Sequence, residues 1–297
     1  MKPLEGTLYQ KRIHPVELFL EAAIYGAASV SVVLLSGIIG YVFFKGTHTV
    51  NKSFLTSVTS SLKQTTGIAG NLVNTLYIIV MTLFIATPIG VGAANYLNEN
   101  AKRGKLVNFI EFATETLSGI PSVVYGLFGM AFFGKTLHLD YSLFRGALTL
   151  SLMVLPLMIR NTQEALRTVP DSYRNGAFGM GATKCRMIRT ILLPSAMPGI
   201  LTGIILSVGR IVGESAALLF TAGSSRLLPK LGGGLIDNLQ GIGRKAMESG
   251  GTLTIELYLQ MQNGKYDVAF GIGCVLIVIV LLINFLMRLA AGKLRKT

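Results

Sequence analysis

The chain has 297 residues, 51% of them apolar and only 14% charged, and its formal net charge is +13. A water-soluble domain of this length carries about a quarter charged residues, so the composition excludes an ordinary soluble enzyme and, with a mean hydropathy of +0.58, directs the reading to a lipid environment. The positive charge does not indicate nucleic acid, because the basic residues flank apolar stretches, where they act as topology signals and as contacts for membrane lipid headgroups.

The N-terminal residues are polar up to Glu17, and residues 22–44 then form an uncharged apolar run. This run is too long for a signal-peptide core and lacks a clear small-residue cleavage site, so it is expected to remain as a membrane anchor. A bilayer core takes about 20 apolar residues in helix. Further spans are therefore predicted over 72–97, with Pro88 inside, over 116–134, reached through Glu111 and Glu115, over 199–222 and over 268–287. Residues 146–159 are short for a span. Arg145 and Arg160 bound them, and their long stems can snorkel to opposite interfaces.

Six spans put both ends of the chain on the same side. Apart from Arg210, which lies inside a span, 16 Lys and Arg residues fall on that side and 10 on the other, so the positive-inside rule predicts that both ends are cytoplasmic. The segment 223–267 is rich in glycine, including Gly232-Gly233-Gly234, and reads as an external loop with a short helix near 252–262. Cys185 and Cys274 fall in a loop and a span, so no disulfide is expected.

Between the fourth and fifth spans, Pro170-Asp171-Ser172 is a good helix start, and Gly179 and Gly181 permit a sharp turn. Lys184 to Leu192 then reads as a second helix with Cys185, Ile188 and Leu192 along one side, before Pro194 and Pro198 stop or redirect the chain. Such a pair can simply lie on the headgroups or dock into a partner. Ala177, Gly181, Ile191, Leu193 and Pro194 stand at the spacing of the loop that couples permeases of ABC importers to their ATPase, and the segment resembles that loop. The family pattern opens Glu-Ala-Ala where this chain has Asn175-Gly176-Ala177, so the acidic position is lost. The resemblance implies that Ala177, Phe178, Gly181, Ala182, Ile191, Leu193 and Pro194 form an ATPase-docking helix.

Three further stretches, Leu117–Gly129, Leu155–Pro170 and Gly209–Gly223, resemble permeases of phosphate ABC importers, and their A-type subunit in particular. The resemblance covers roughly residues 68–290, with 1–67 as an N-terminal segment, first span and external loop, and 291–297 as a tail. It implies an all-α membrane protein with the six-helix type I ABC importer permease fold, N-in and C-in. It further implies a second, C-type permease as heterodimer partner, an ATPase dimer that holds the ATP, and an extracytoplasmic phosphate-binding protein. This chain would itself bind no cofactor and catalyse no reaction. Importers of molybdate or sulfate, and a secondary transporter needing no ATPase, remain alternatives.

From the residues themselves, Arg210 is predicted midway along the 199–222 helix, where insertion costs about 2.5–3.5 kcal/mol. Such a residue marks a pathway or a structural ion pair, and its guanidinium can grip phosphate oxygens through two parallel donors. Glu214 would lie one turn on, on the same face, and neutralise it. Ser215 stands where the family has Thr. Pro121, Ser122 and Arg160 are cavity candidates, since Ile120-Pro121-Ser122 and Pro88 are expected to break their helices. Gly129–Thr136 fits the spacing of a phosphate-binding P-loop, but it ends an apolar run instead of following a strand, and is rejected. His14, His48 and His138 are mutually isolated, and no metal site is expected.

Overall fold

In a bilayer every backbone N–H and C=O must be satisfied within the protein, which leaves helices as the means of crossing for a chain of this pattern. The structure, a computed structural model, describes residues 15–60, 65–101, 104–229 and 235–294. Part of the charge pattern (Lys2, Lys11, Arg12, Lys63, Lys102, Arg103, Lys230, Arg295, Lys296), together with His14 and Gly232–Gly234, lies outside the described residues. Among the described residues, five helical stretches are long and apolar enough to cross a membrane: Val16–Gly46, Ala69–Asn100, Leu143–Arg167, Lys184–Gly213 and Tyr266–Leu289. A sixth is a broken pair, Lys105–Ser118 with Ser122–Thr136, bent by 104°.

The first helix, α1 (Pro15–Gly46), is exposed over most of its length and touches the rest of the chain at its C-terminal end. There the Cys274 thiol donates to the Val42 carbonyl (3.2 Å), and Tyr41 meets Phe270 edge-on at 5.6 Å. A short helix α2 (Lys52–Thr56), capped by Asn51, leads into an antiparallel hairpin of β1 (Val58–Ser60) and β2 (Thr65–Ile68).

In α3 (Ala69–Asn95) the expected break at Pro88 does not occur: the helix runs through it and continues into a π turn at Tyr96–Asn100. Proline costs one ladder bond, and tight packing beside it compensates. A Cβ on Gly90 would stand 2.7 Å from Met158 Cγ, so the Met158 side chain of the central helix packs directly on the α3 backbone there.

The predicted 116–134 span is two limbs. Helix α4 (Lys105–Ser118) ends at Gly119, and Pro121 takes extended angles (φ −59°, ψ 142°) to start α5 (Ser122–Gly129), which continues as a π turn to Thr136. The P-loop spacing thus lies in helix. Limb α5 lies so close to its neighbours that a Cβ on Gly126 would stand 2.8 Å from Ala217 Cα.

The central helix α6 (Leu143–Arg167) is a full-length span of 25 residues, longer than the 146–159 expected, and Ser142 caps it by accepting from the Arg145 amide. Arg145 does not snorkel. It is 4% exposed and donates to the carbonyls of Thr221 (2.8 Å), Leu139 (2.9 Å) and Phe220 (3.1 Å), with Tyr141 stacked 4.3 Å away. A charge that would be costly in hydrocarbon is stabilised by carbonyls at the end of a helix and in a loop.

After α6 come α7 (Asp171–Gly179), α8 (Lys184–Met187) and α9 (Leu193–Gly213). A π turn at Ile188–Leu192 joins the last two, so Pro194 and Pro198 neither stop nor redirect the chain. Pro194 falls directly after the π turn, where the hydrogen-bond register has already shifted. The predicted 199–222 helix instead breaks at Glu214-Ser215, and a short α10 (Ala216–Thr221) follows.

The glycine-rich segment carries α11 (Leu235–Ala246) and the anticipated short helix as α12 (Leu253–Gln262). It folds back onto α3: the side-chain amides of Asn71 and Asn74 both donate to the Gly251 carbonyl, and the Leu253 amide donates to Thr75 Oγ1. Buried Glu256 accepts from Arg226 at 2.7 Å. Helix α13 (Tyr266–Leu294) closes the chain. Ile78, Leu150, Val154, Ile211, Leu218 and Ile255 from α3, α6, α9, α10 and α12 form the core.

Candidate functional site

The bend at Gly119–Pro121 opens a groove between the two limbs and α6. One small pocket along it, about 110 Å³, is lined by Thr114 and Ser118 of α4, by Met153, Pro156, Leu157 and Arg160 of α6, and by Arg210 of α9. Two arginines separated by fifty positions therefore face one small cavity. The Thr114 and Ser118 hydroxyls donate to the Ile110 and Glu115 carbonyls of their own helix. They can accept but have no proton to spare, so donors in this pocket come from the two guanidiniums.

Arg210 sits in the last turn of α9, directly before the break, and not midway along an unbroken helix as predicted. The negative end of the helix dipole favours a cation there. Glu214 is not on its face. The helix ends at Gly213, Glu214 is extended (φ −82°, ψ 124°), and its carboxylate accepts from the Ala217 amide at 3.0 Å while its carbonyl accepts from Thr254. The expected neutralising pair is absent among the described residues, because Glu214 is used to hold the break and start α10. Ser215 occupies the N-cap position of α10 without a side-chain cap bond. Pro121 and Ser122 start α5, beyond the bend, and are not among the residues lining this pocket.

Arg160 stands between this pocket and a second of about 280 Å³, lined also by Glu111, Glu115, Gln163, Glu164 and Arg167. Glu115 lies 3.5 Å from Arg160, with both side chains more than half exposed. Glu111 and Glu115 precede the predicted 116–134 span in sequence. The kink that turns α4 toward α6, visible beforehand only as a Gly and a Pro two residues apart, gives them their place beside Arg160. A third, apolar pocket of about 350 Å³ continues the groove past Ile120, Tyr125, Phe128 and Leu152.

Beyond the C-terminal end of α6, the end that carries Arg160 and Arg167, the loop 171–192 is a helical hairpin. Pro170 starts α7 with extended angles, Gly181 turns the chain at φ +75°, a conformation open to glycine, and Thr183 caps α8 by accepting from the Arg186 amide. Ala177, Met187, Ile188 and Leu192 are buried against Ala165, Leu166, Ala196 and Ile200, with Ala182, Ile191 and Leu193 packed on the same cluster. Cys185, predicted on one side with Ile188 and Leu192, is exposed while those two are buried, and Met187 is buried beside them. The spaced motif residues mainly build the hairpin. Of the residues singled out, Phe178 presents a large apolar surface, joined by Tyr173 and Met180, which sequence reading did not select. Their signal was available: α7 buries Ala177 and tucks Arg174 inward, which leaves the large apolar residues on the other faces.

Arg174 is also new. Its Nη2 donates to Glu99 Oε1 at 2.8 Å, its Nε lies 3.2 and 3.4 Å from the two carboxylate oxygens, and it further donates to the Leu166 and Val169 carbonyls and to Asp171. The hydrogen bond to Glu99 raises its pKa above the ordinary arginine value, against the opposing effect of burial.

A multi-pass bundle with a broken span beside a cationic pocket and a helical hairpin at one end defines a membrane transport permease. Residues 86–296, most of the chain, match the family of binding-protein-dependent transport system inner membrane components, and the chain belongs to it as a non-catalytic permease subunit of an ABC importer. It is 37% identical over 196 residues to the probable ABC transporter permease protein YqgI of Bacillus subtilis, a match covering 66% of this chain and 67% of that protein. It is 35% identical over 178 residues to the phosphate transport system permease protein PstA of Xylella fastidiosa (60% and 62%) and 41% identical over 193 residues to a PstA homolog of Mycoplasma pneumoniae (63% and 29%). The chain thus spans less than two thirds of these two PstA relatives. Its fold is that of the permease in a bacterial alginate ABC transporter crystallised with an alginate-bound periplasmic protein, at TM-score 0.67 and 15% identity over 95% of this chain and 97% of that one. The methionine transporter MetNI matches at TM-score 0.54 and 17% identity, over 77% and 95%.

Proposed function

We propose that this permease imports phosphate, and that Arg210 and Arg160 form the inner anion site of its path. The observation that carries the reading is the shared pocket: two guanidiniums are the only proton donors that its side chains can offer. Two like charges in a small pocket repel each other, and a phosphate dianion relieves that repulsion while filling paired donors. The names of the PstA relatives support phosphate over other cargo. On this reading Glu214 maintains the α9–α10 break that delivers Arg210 to the pocket, with Ser215 as the residue at which α10 starts, and Pro121 and Ser122 maintain the α4–α5 break opposite.

The hairpin 171–192 is cytoplasmic, as are both chain ends, and docks through Phe178, Tyr173 and Met180 into an ATPase dimer that binds the ATP. A second, C-type permease completes the path on the exposed face of α4 and α9, and an external phosphate-binding protein delivers the ion to the other side of the bacterial cytoplasmic membrane. The core 68–290 then forms half of the path, with 1–67 anchoring beside it. ATP-driven closure of the ATPase pair switches the groove from outward to inward access.

The test is the purified intact complex in liposomes. Phosphate-stimulated ATP turnover and phosphate uptake are expected, and Arg210→Ala should abolish uptake while the complex still assembles. Normal uptake in that variant would sink the proposed site. Competition with molybdate and sulfate separates oxyanions, and uptake by this chain without any ATPase would point to a secondary transporter.

A further inference from the structure

The residues that tie the hairpin to the spans are not those that define it in sequence. Glu99 belongs to the π turn that ends α3, and its side chain is 7% exposed; Arg174 belongs to α7, and its side chain is 16% exposed. The guanidinium makes forked contacts with the carboxylate (2.8, 3.2 and 3.4 Å), and Asn98 donates to the same carboxylate at 2.7 Å. The remaining donors of Arg174 reach the Leu166 and Val169 carbonyls at the end of α6 and Asp171 at the start of α7. From the other helix of the hairpin, the Lys184 ammonium donates to the Glu99 main-chain carbonyl. One residue at the end of α3 is therefore held by both helices of the hairpin, and one arginine joins α3, α6 and α7.

We propose that Glu99 and Arg174 are positioning residues of the transport cycle: a rigid joint through which movement of the hairpin is imposed on α3 and α6, the two helices packed along each other beside the groove. The chemistry favours a joint over a surface decoration. An exposed ion pair is held weakly and rearranges easily, whereas a forked arginine–carboxylate pair that is largely shielded from solvent is geometrically specific, and removing one partner leaves a poorly compensated charge. The hairpin is otherwise attached mainly through apolar contacts and the chain itself, and apolar contacts are non-directional. The joint rests on the proposed ATP-driven phosphate import, and the wild-type complex provides the control that separates the two ideas.

The test uses the intact complex, purified through a tag on this chain so that unbound ATPase is lost, and reconstituted in liposomes. The measured quantity is phosphate moved per ATP hydrolysed, a ratio that does not depend on how much complex survives. In Glu99→Gln the ratio is expected to fall about ten-fold while ATP hydrolysis continues. In Arg174→Lys, which keeps the charge but loses the fork, it should fall less. If both variants merely lower the yield of complex and transport phosphate at the wild-type ratio, the pair is structural and the proposal is overturned. If the wild-type complex itself moves no phosphate on ATP hydrolysis, the functional reading fails first, independently of the joint.

Discussion

Two arginines bound the stretch of α6 that first marks it as a span, and the structure uses them in opposite ways. Arg145 is buried and has its donors engaged by three carbonyls, with an aromatic ring against it. Arg160 is mostly exposed in the isolated chain, has one long contact to Glu115, and opens onto two cavities. The same side chain is architecture where its donors are satisfied and a functional candidate where they are not. In a membrane protein the useful question about a charged residue is therefore what its hydrogen-bond donors already hold, more than how deep it lies.

The largest effect that would sharpen this contrast is at Arg160. Arg160→Ala in the assembled complex is expected to lower phosphate uptake by about 100-fold, the equivalent of about 2.7 kcal/mol, with yield and melting temperature near wild type. Wild-type uptake would remove Arg160 from the path. Arg145→Met should do the reverse. It leaves the carbonyls of Leu139 and Phe220 without the Arg145 donor, at about 1–3 kcal/mol each where they stay dry, while the Thr221 carbonyl keeps the Ser142 amide at 3.3 Å. A drop in thermal stability of the detergent-solubilised complex is expected, with uptake per surviving complex preserved.

Gly126→Ala tests whether the two broken helices depend on contact. The new Cβ would stand 2.8 Å from the Ala217 backbone, so α5 must shift away from α10, at about 1–3 kcal/mol. Reduced melting temperature with a changed cysteine-crosslinking pattern between α5 and α10 is the expected signature. The smallest effect is at Glu115. Its pair with Arg160 is exposed, so Glu115→Gln should leave stability unchanged. Freed from its competitor, Arg160 should bind anion a few-fold more tightly, seen as a lower KM for phosphate. An unchanged KM would detach Glu115 from the site.

Much of the bundle was legible, because bilayer thickness sets the length of apolar runs independently of tertiary detail. The breaks were not. Pro88 and Pro121 gave the same signal, yet only Pro121, with Gly119 two residues before it, leaves the helix; Pro88 lies between Thr87 and Ile89 in a helix held against α6. The break at Glu214 carries no proline, and its partners, Ala217 and Thr254, emerge only on folding. Arg210 was legible as a cation in a span, but its place at a helix end and its neighbour Arg160 were not. Arg145 and Arg174 find their partners 76 and 75 positions away. Spacing within one helix cannot report such contacts. The helix–turn–helix at 171–192 was legible from Pro170 and the glycines, whereas the inward packing of most of its apolar residues was not.

The π turn at Ile188–Leu192 has a consequence of its own. Because it replaces the stop expected at Pro194, residues 184–213 run as one stretch of 30 helical residues, about 45 Å from end to end. The hairpin's second helix and Arg210 are thus opposite tips of a single lever, with the fulcrum wherever α6 grips it near Gly199 and Gly203. The arm from that fulcrum to Arg210 is about half as long as the arm to Lys184, so rocking at the hairpin would reach Arg210 reversed in direction and about halved, and any bending at the π turn, Pro194 or Pro198 would reduce it further.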